Sequence, residues 1–283
     1  MEDPTAVRNP WQPTEGQPTD GRPPHEPAPA AANRFGPRQA VVLVLGFFLV
    51  QTLVGTGAVF LRGFVLALAQ RLRVPLHGGG HVVLLPGAPG ATFLAGSVIA
   101  GYVLAALWCR RYVLRRAGER LRRGTPDGIG WCPAPAGAYR MAAVLAAGTV
   151  AAAALILQLA PMPQIHLQNS PFEALLEPGW MLGPSLLLMF VIAPLAEEFI
   201  FRGAAFAALA GRAGTPGAAA IVTLLFVAVH APEKIHYPPG FVDVALMALA
   251  AVWLRLRYRS IKPAVLLHVL YNLGVSGAAV LLH

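Results

Sequence analysis

The feature that most constrains this chain is a series of long apolar runs, separated by arginine clusters or by glycine and proline. A helix needs about 20 apolar residues to cross the hydrocarbon core of a bilayer, because each residue adds only about 1.5 Å. Seven runs approach that length: Ala40–Leu61, about Ala91–Trp108, Met141–Ala160, a fourth starting near Met181, about Pro216–Ala231, about Gly240–Leu254 and Pro263–Leu282. The Gly/Pro-rich stretch Pro75–Gly90 leaves room for a further interfacial or re-entrant piece. Charged residues make up 12% of the chain, against about 25% in a soluble domain. That deficit excludes an ordinary soluble enzyme and a wholly disordered chain. The expected fold is all-α, a polytopic membrane helical bundle of about seven transmembrane helices. No internal repeat points to an inverted-repeat transporter.

The net charge of +9 would suggest nucleic acid in a soluble protein. Here the basic residues sit in short clusters between apolar runs, so they read as topology signals and no nucleic-acid partner is expected. The second loop holds Arg110, Arg111, Arg115, Arg116, Arg120, Arg122, Arg123 and Arg140, and the last holds Arg255, Arg257, Arg259 and Lys262. The loop Pro161–Trp180 has no Lys or Arg. Placing arginine-rich loops inside gives a multi-pass cell-membrane protein with a cytoplasmic N-terminus and an external C-terminus; Arg62, Arg71 and Arg73 run against it. Residues 1–38 contain nine prolines and few large aliphatics, a composition that cannot bury enough apolar surface to order itself. They are expected to be a disordered tail ahead of a transmembrane domain at 39–283. Cys109 and Cys132 supply neither a disulfide framework nor a thiolate metal set.

Ionisable groups inside a membrane are costly, so each is a functional candidate. The fourth run carries Glu197, Glu198 and Arg202. Glu198 and Arg202 are i,i+4 neighbours with the acid first, the favoured order for a pair. Glu197 lies about 140° around the helix from Arg202. Arg202 is therefore expected to neutralise Glu198 and leave Glu197 facing a cavity as a general base.

Phe226 and His230 are also i,i+4, as are His268 and Asn272. The Gly211–Pro216 turn lies about midway between Glu197 and His230, so an antiparallel hairpin brings these two to one depth. His268 and Asn272 offer donors suited to an oxyanion. Asp243 lies toward the outer end of its run and is held back from the site.

In this order, the Glu197-Glu198-x-x-x-Arg202, Phe226-x-x-x-His230 and His268-x-x-x-Asn272 motifs resemble those of the CPBP family, the CAAX proteases and bacteriocin-processing enzymes, which includes type II CAAX prenyl endopeptidases. The resemblance covers roughly residues 140–282. It implies an intramembrane endopeptidase acting on a membrane-associated peptide or protein, with Glu197, Glu198, Arg202, His230, His268 and Asn272 as the catalytic set. Glu197 and His230 would activate water, and His268 and Asn272 would stabilise the oxyanion. On this reading no cofactor is required; the alternative is one zinc ion held by Glu197, His230 and His268, which could supply the ligand types. The competing functions are a non-catalytic immunity or scaffold protein of the same fold and a proton-coupled transporter. Reporter fusions test the topology: a fusion after His283 is expected to report an external C-terminus, and a cytoplasmic signal there would overturn the orientation.

Overall fold

The computed structural model describes residues 35–71, 88–117, 128–161, 175 and 179–282. Most of the expected tail, most of Pro75–Gly90 and most of the Pro161–Trp180 loop lie outside the described residues, as do Arg73, Arg120, Arg122 and Arg123. Residues Arg34–His283 form one compact unit. The helical body starts slightly before the expected boundary, since Phe35 is buried and meets Tyr112 edge-on at 6.0 Å.

Helix α1 spans Pro37–Arg71, α2 Ala88–Arg116 and α3 Ala136–Leu159. A long interrupted helix follows. It consists of α4 (Leu182–Leu187), a π-helical turn Leu188–Ile192, α5 (Ala193–Glu198), a second π-helical turn Phe199–Ala205 and α6 (Phe206–Val229). A single turn, α7 (Ala231–Lys234), leads to α8 (Pro239–Tyr258) and α9 (Lys262–Leu282). There is no strand among the described residues, and the all-α bundle is as the apolar runs require.

Among the described residues, five stretches are long and apolar enough to cross a membrane: Pro37–Ala69, Thr92–Arg116, Ala136–Leu159, Leu182–Val229 and Pro239–Tyr258. The fourth and fifth expected runs both fall in Leu182–Val229, so the described residues do not reach the expected seven by this measure. That stretch breaks at Gly214, with φ 66° and ψ 169°, two residues before Pro216. Glycine supplies a backbone conformation that other residues resist, and proline removes a helical donor; the expected turn is there. The seventh run coincides with α9, which is helical but not among the five.

Lipid is as apolar as leucine, so transmembrane helices associate by close packing more than by hydrophobic burial. The helices follow that rule. On α3, Ala138, Ala142 and Ala146 are buried at helical spacing, while Val144, Leu155 and Leu159 face outward. Helices α1 and α2 pack along each other, α3 packs on α9 and α8, and α8 also packs on α6. Gly101 sets the α1–α2 approach: a Cβ there would lie 2.8 Å from the Gln51 carbonyl oxygen.

One end of the bundle is tied by its connection. Ile261 N donates to Gly130 O at 2.8 Å and Ser260 Oγ to Cys132 O at 2.7 Å. Arg255 corrects the expectation that it sits in a solvated loop as a topology signal. It belongs to α8, is buried, and donates from Nε to Arg202 O at 3.1 Å and from Nη2 to Gly128 O at 2.8 Å.

Replacing Gly101 with alanine should force the α1 and α2 backbones apart. A loss of about 1–3 kcal/mol is expected, the usual range for overpacking, seen as a lower Tm in detergent; an unchanged Tm would show that the contact is not a constraint.

Candidate active site

The site starts from two adjacent carboxylates whose surroundings differ. Glu198 ends α5 and is completely buried, and Arg202 in the following π-helical turn is equally buried. Arg202 Nη1 donates to Glu198 Oε1 at 3.0 Å, the pairing that the i,i+4 spacing led us to expect. Arg202 Nη2 donates to Ala248 O on α8 at 3.1 Å, and its guanidinium lies 4.2 Å from the centre of the Phe226 ring. Both terminal nitrogens are thus satisfied, Nε is left without a hydrogen-bond partner, and the ring face adds cation–π attraction in a dry setting. Phe226 is fully buried and meets Phe201 edge-on at 5.2 Å.

His268 on α9 spans both carboxylates. Its Nδ1 lies 3.0 Å from Glu198 Oε1 and its Nε2 lies 3.8 Å from Glu197 Oε2. A carboxylate only accepts, so Nδ1 carries the proton it gives to Glu198. Glu197 retains 15% of its side-chain exposure, whereas Glu198 retains none. Its Oε1 accepts a hydrogen bond from Tyr102 Oη on α2 at 2.7 Å.

His230 is the junction residue between α6 and α7, with φ −86° and ψ −1°. Its Nδ1 lies 2.7 Å from Phe226 O. A carbonyl can only accept, so Nδ1 is the donor and a neutral ring keeps its lone pair on Nε2. The ring sits 4.6 Å from Phe226, and Phe226 sits 5.9 Å edge-on from His268. Phe226 is thus the shared floor beneath Arg202, His230 and His268, which accounts physically for an aromatic residue four positions before the histidine.

Asn272 is placed differently from a pure oxyanion donor. Its Nδ2 donates to Met189 O at 2.9 Å, tying α9 to the first π-helical turn. One amide hydrogen is therefore committed to structure, and one is left for a ligand. Asp243 stays apart from the glutamates: it is buried and accepts from Tyr271 Oη.

Sequence reasoning missed Tyr102, which lies in a run assigned no part in the chemistry. A hydroxyl in an apolar span was the available signal, but a screen for ionisable groups passes over it. The role of Arg255 beneath Arg202 was hidden because an arginine near a helix end reads first as a charge at the membrane surface.

Among the described residues no group of three His, Cys, Asp or Glu side chains is placed to hold a metal. Glu197, His230 and His268 therefore do not fit the three-ligand alternative in this arrangement.

A family model described as Type II CAAX prenyl endopeptidase Rce1-like matches residues 179–274. The family resemblance holds over this segment. It contains all three motifs and both π-helical turns, while α1, α2 and α3 lie outside it. No curated protein and no solved structure matches the chain. Through this match the chain resembles proteases that work in membranes, and its apolar helices make it a multi-pass membrane protein.

Removing Arg202 would leave Glu198 buried without its cation. Arg202→Ala should cost about 3–5 kcal/mol, the range for breaking a buried pair, and reduce the yield of folded protein. Arg202→Lys should not restore it, because one ammonium cannot reproduce the planar fork over Phe226. Thermal denaturation of both variants checks this.

Proposed function

We propose that this chain is an endopeptidase that hydrolyses a peptide bond of a membrane-associated peptide or protein, with Glu197 as the base that activates water. The contrast between the two carboxylates carries this reading. Glu198 Oε1 accepts from Arg202 and His268, and its Oε2 is fully buried without a partner, so that carboxylate is closed off from a ligand arriving from outside. Glu197 is anchored through Oε1 and keeps Oε2 and some exposure for a ligand.

The chemistry follows from these atoms. A water held between Glu197 Oε2 and the lone pair on His230 Nε2 gives a proton to Glu197 as its oxygen adds to the carbonyl carbon. The developing oxyanion is met by donors in a dry site, where such bonds are strongest. The free amide hydrogen of Asn272 is one; His268 is the other when it carries a proton on Nε2 as well as Nδ1. The tetrahedral intermediate then expels the amine as Glu197 returns the proton to the leaving nitrogen. Arg202 and Glu198 act beneath this step by fixing His268. We place the protein in the cell membrane, with the N-terminus cytoplasmic and the site open to that side, on the strength of the arginine clusters.

Glu197→Gln keeps shape and hydrogen bonding but removes the base. Peptide turnover should be lost with Tm unchanged, and uncleaved membrane peptides should accumulate in cells carrying the variant. His268→Ala and Asn272→Ala should each lower kcat by about 10²–10³-fold, the usual effect of one oxyanion donor. Retained turnover in Glu197→Gln, with loss in Glu198→Gln, would reverse the roles of the two glutamates. Turnover should survive exhaustive chelation, and a stoichiometric metal whose removal stops the reaction would overturn the direct water mechanism. A phenotype unaffected by every one of these substitutions would point to a scaffold.

A further inference from the structure

Glu197 and His268 stand at an uncomfortable separation. The 3.8 Å between Glu197 Oε2 and His268 Nε2 exceeds the 2.7–3.2 Å range of an N–H···O bond. It is also shorter than the roughly 4.6 Å at which a water bonds to both atoms at about 2.8 Å with a tetrahedral angle. A flexible glutamate beside an imidazole that already donates to Glu198 through Nδ1 would gain by swinging onto Nε2 whenever that nitrogen also carries a proton, the doubly protonated state in which His268 serves the oxyanion. That would close a continuous Glu197–His268–Glu198 chain and remove Oε2 from use.

Tyr102 opposes that movement. Its Oη is 2.7 Å from Glu197 Oε1, and it lies 3.4 Å from Ala193 O. The bond to the carboxylate is the shorter and, being charge-assisted, the stronger. The tyrosine cannot easily follow the glutamate. It is 7% exposed, and its ring packs edge-on against Phe47 of α1 at 5.1 Å. The neighbouring Gly101 presses α2 against the α1 backbone. The hydroxyl is therefore delivered by a pair of helices outside the segment that matches the family model.

We propose that Tyr102 is a positioning residue that holds the Glu197 carboxylate off His268 and so keeps Oε2 available for water. The proposal rests on the endopeptidase reading for its effect on rate, but its geometric content does not. Without the hydroxyl, Glu197 closes onto His268, substrate still binds, and the base is lost. Misplacing a reacting group by about 1 Å can cost about 10²-fold in rate.

The test uses the full chain in lipid nanodiscs, with wild type, Tyr102→Phe, and a pair of same-shaped replacements at position 102. These are 4-aminophenylalanine, which keeps a donor, and 4-methylphenylalanine, which does not. The pair serves where Tyr102→Phe itself lowers the yield of folded protein. Turnover is read on a fluorogenic farnesylated peptide ending in a CAAX sequence. Independently, the ¹⁵N imidazole resonance of His268, assigned by its loss in His268→Gln, reports the closing of Glu197 onto Nε2. The expected result is a kcat about 10²-fold lower in both donorless variants, with KM little changed and the His268 Nε2 resonance displaced. The amino analogue should resemble wild type in both readouts. Wild-type kcat and an unmoved resonance in the donorless variants would overturn the proposal. So would an equal loss in the amino analogue, which would mark Tyr102 as packing only. Failure of wild type to cleave any peptide, with Glu197→Gln indistinguishable from it in cells, would instead count against the endopeptidase reading, and the resonance alone would then decide the role of Tyr102.

Discussion

The fold is organised around a salt bridge with no exposure to solvent. Glu198 and Arg202 are both fully buried, and moving two such charges out of water costs more than their mutual attraction readily returns. The rest of the structure supplies partners to Glu198 Oε1 and to both terminal nitrogens of Arg202, while Glu198 Oε2 and Arg202 Nε are left without one. α8 offers the Ala248 carbonyl, α6 the face of Phe226, and α9 the ring of His268. Three helices are thus held in register by one ion pair. A buried pair of this kind adds little net stability, but any arrangement that leaves either charge alone is far less stable. The bridge therefore selects one packing of helices that apolar contacts alone would leave free to slide.

The two π-helical turns give that packing its handholds. Wide turns are uncommon and gather at functional sites. In the first, Met189 O receives Asn272; in the second, Arg202 O receives Arg255. In both, a backbone acceptor is satisfied by a side chain from a distant helix. Because buried carbonyls demand partners, each turn becomes a specific attachment point. Arg202 thus bonds to the core through its side chain while its own backbone is held from below by a second arginine.

Much of this was legible in the sequence. Apolar runs announce membrane helices because the bilayer tolerates few alternatives. The i,i+4 spacing of Glu198 and Arg202 fixes their pairing because one helix carries both. The break at Gly214 was readable for the same local reason. What could not be read depends on contacts across the bundle. His268 binds Glu198 over a separation of 70 residues, and Tyr102 binds Glu197 over 95; neither leaves a trace in local spacing. Asn272 was placed on the right face of its helix, but its bond to Met189 depends on a widened turn that no simple periodicity reveals. Arg255 misled for a related reason, since burial at a helix end is decided by what folds over it.

The distance in sequence between Glu198 and His268 also orders events in time. A chain made from its N-terminus inserts Glu197, Glu198 and Arg202 well before α9 is synthesised. Until then the acidic pair has its arginine but lacks the imidazole that donates to Glu198 and lies beside Glu197, and Asn272 has not yet pinned the wide turn around Met189. The cluster is completed only when the last described helix docks between the π-helical turn and α3. A nascent chain that stops short of α9 consequently holds its carboxylates without that ring, and ribosomal synthesis itself keeps the cluster unfinished until α9 has been made.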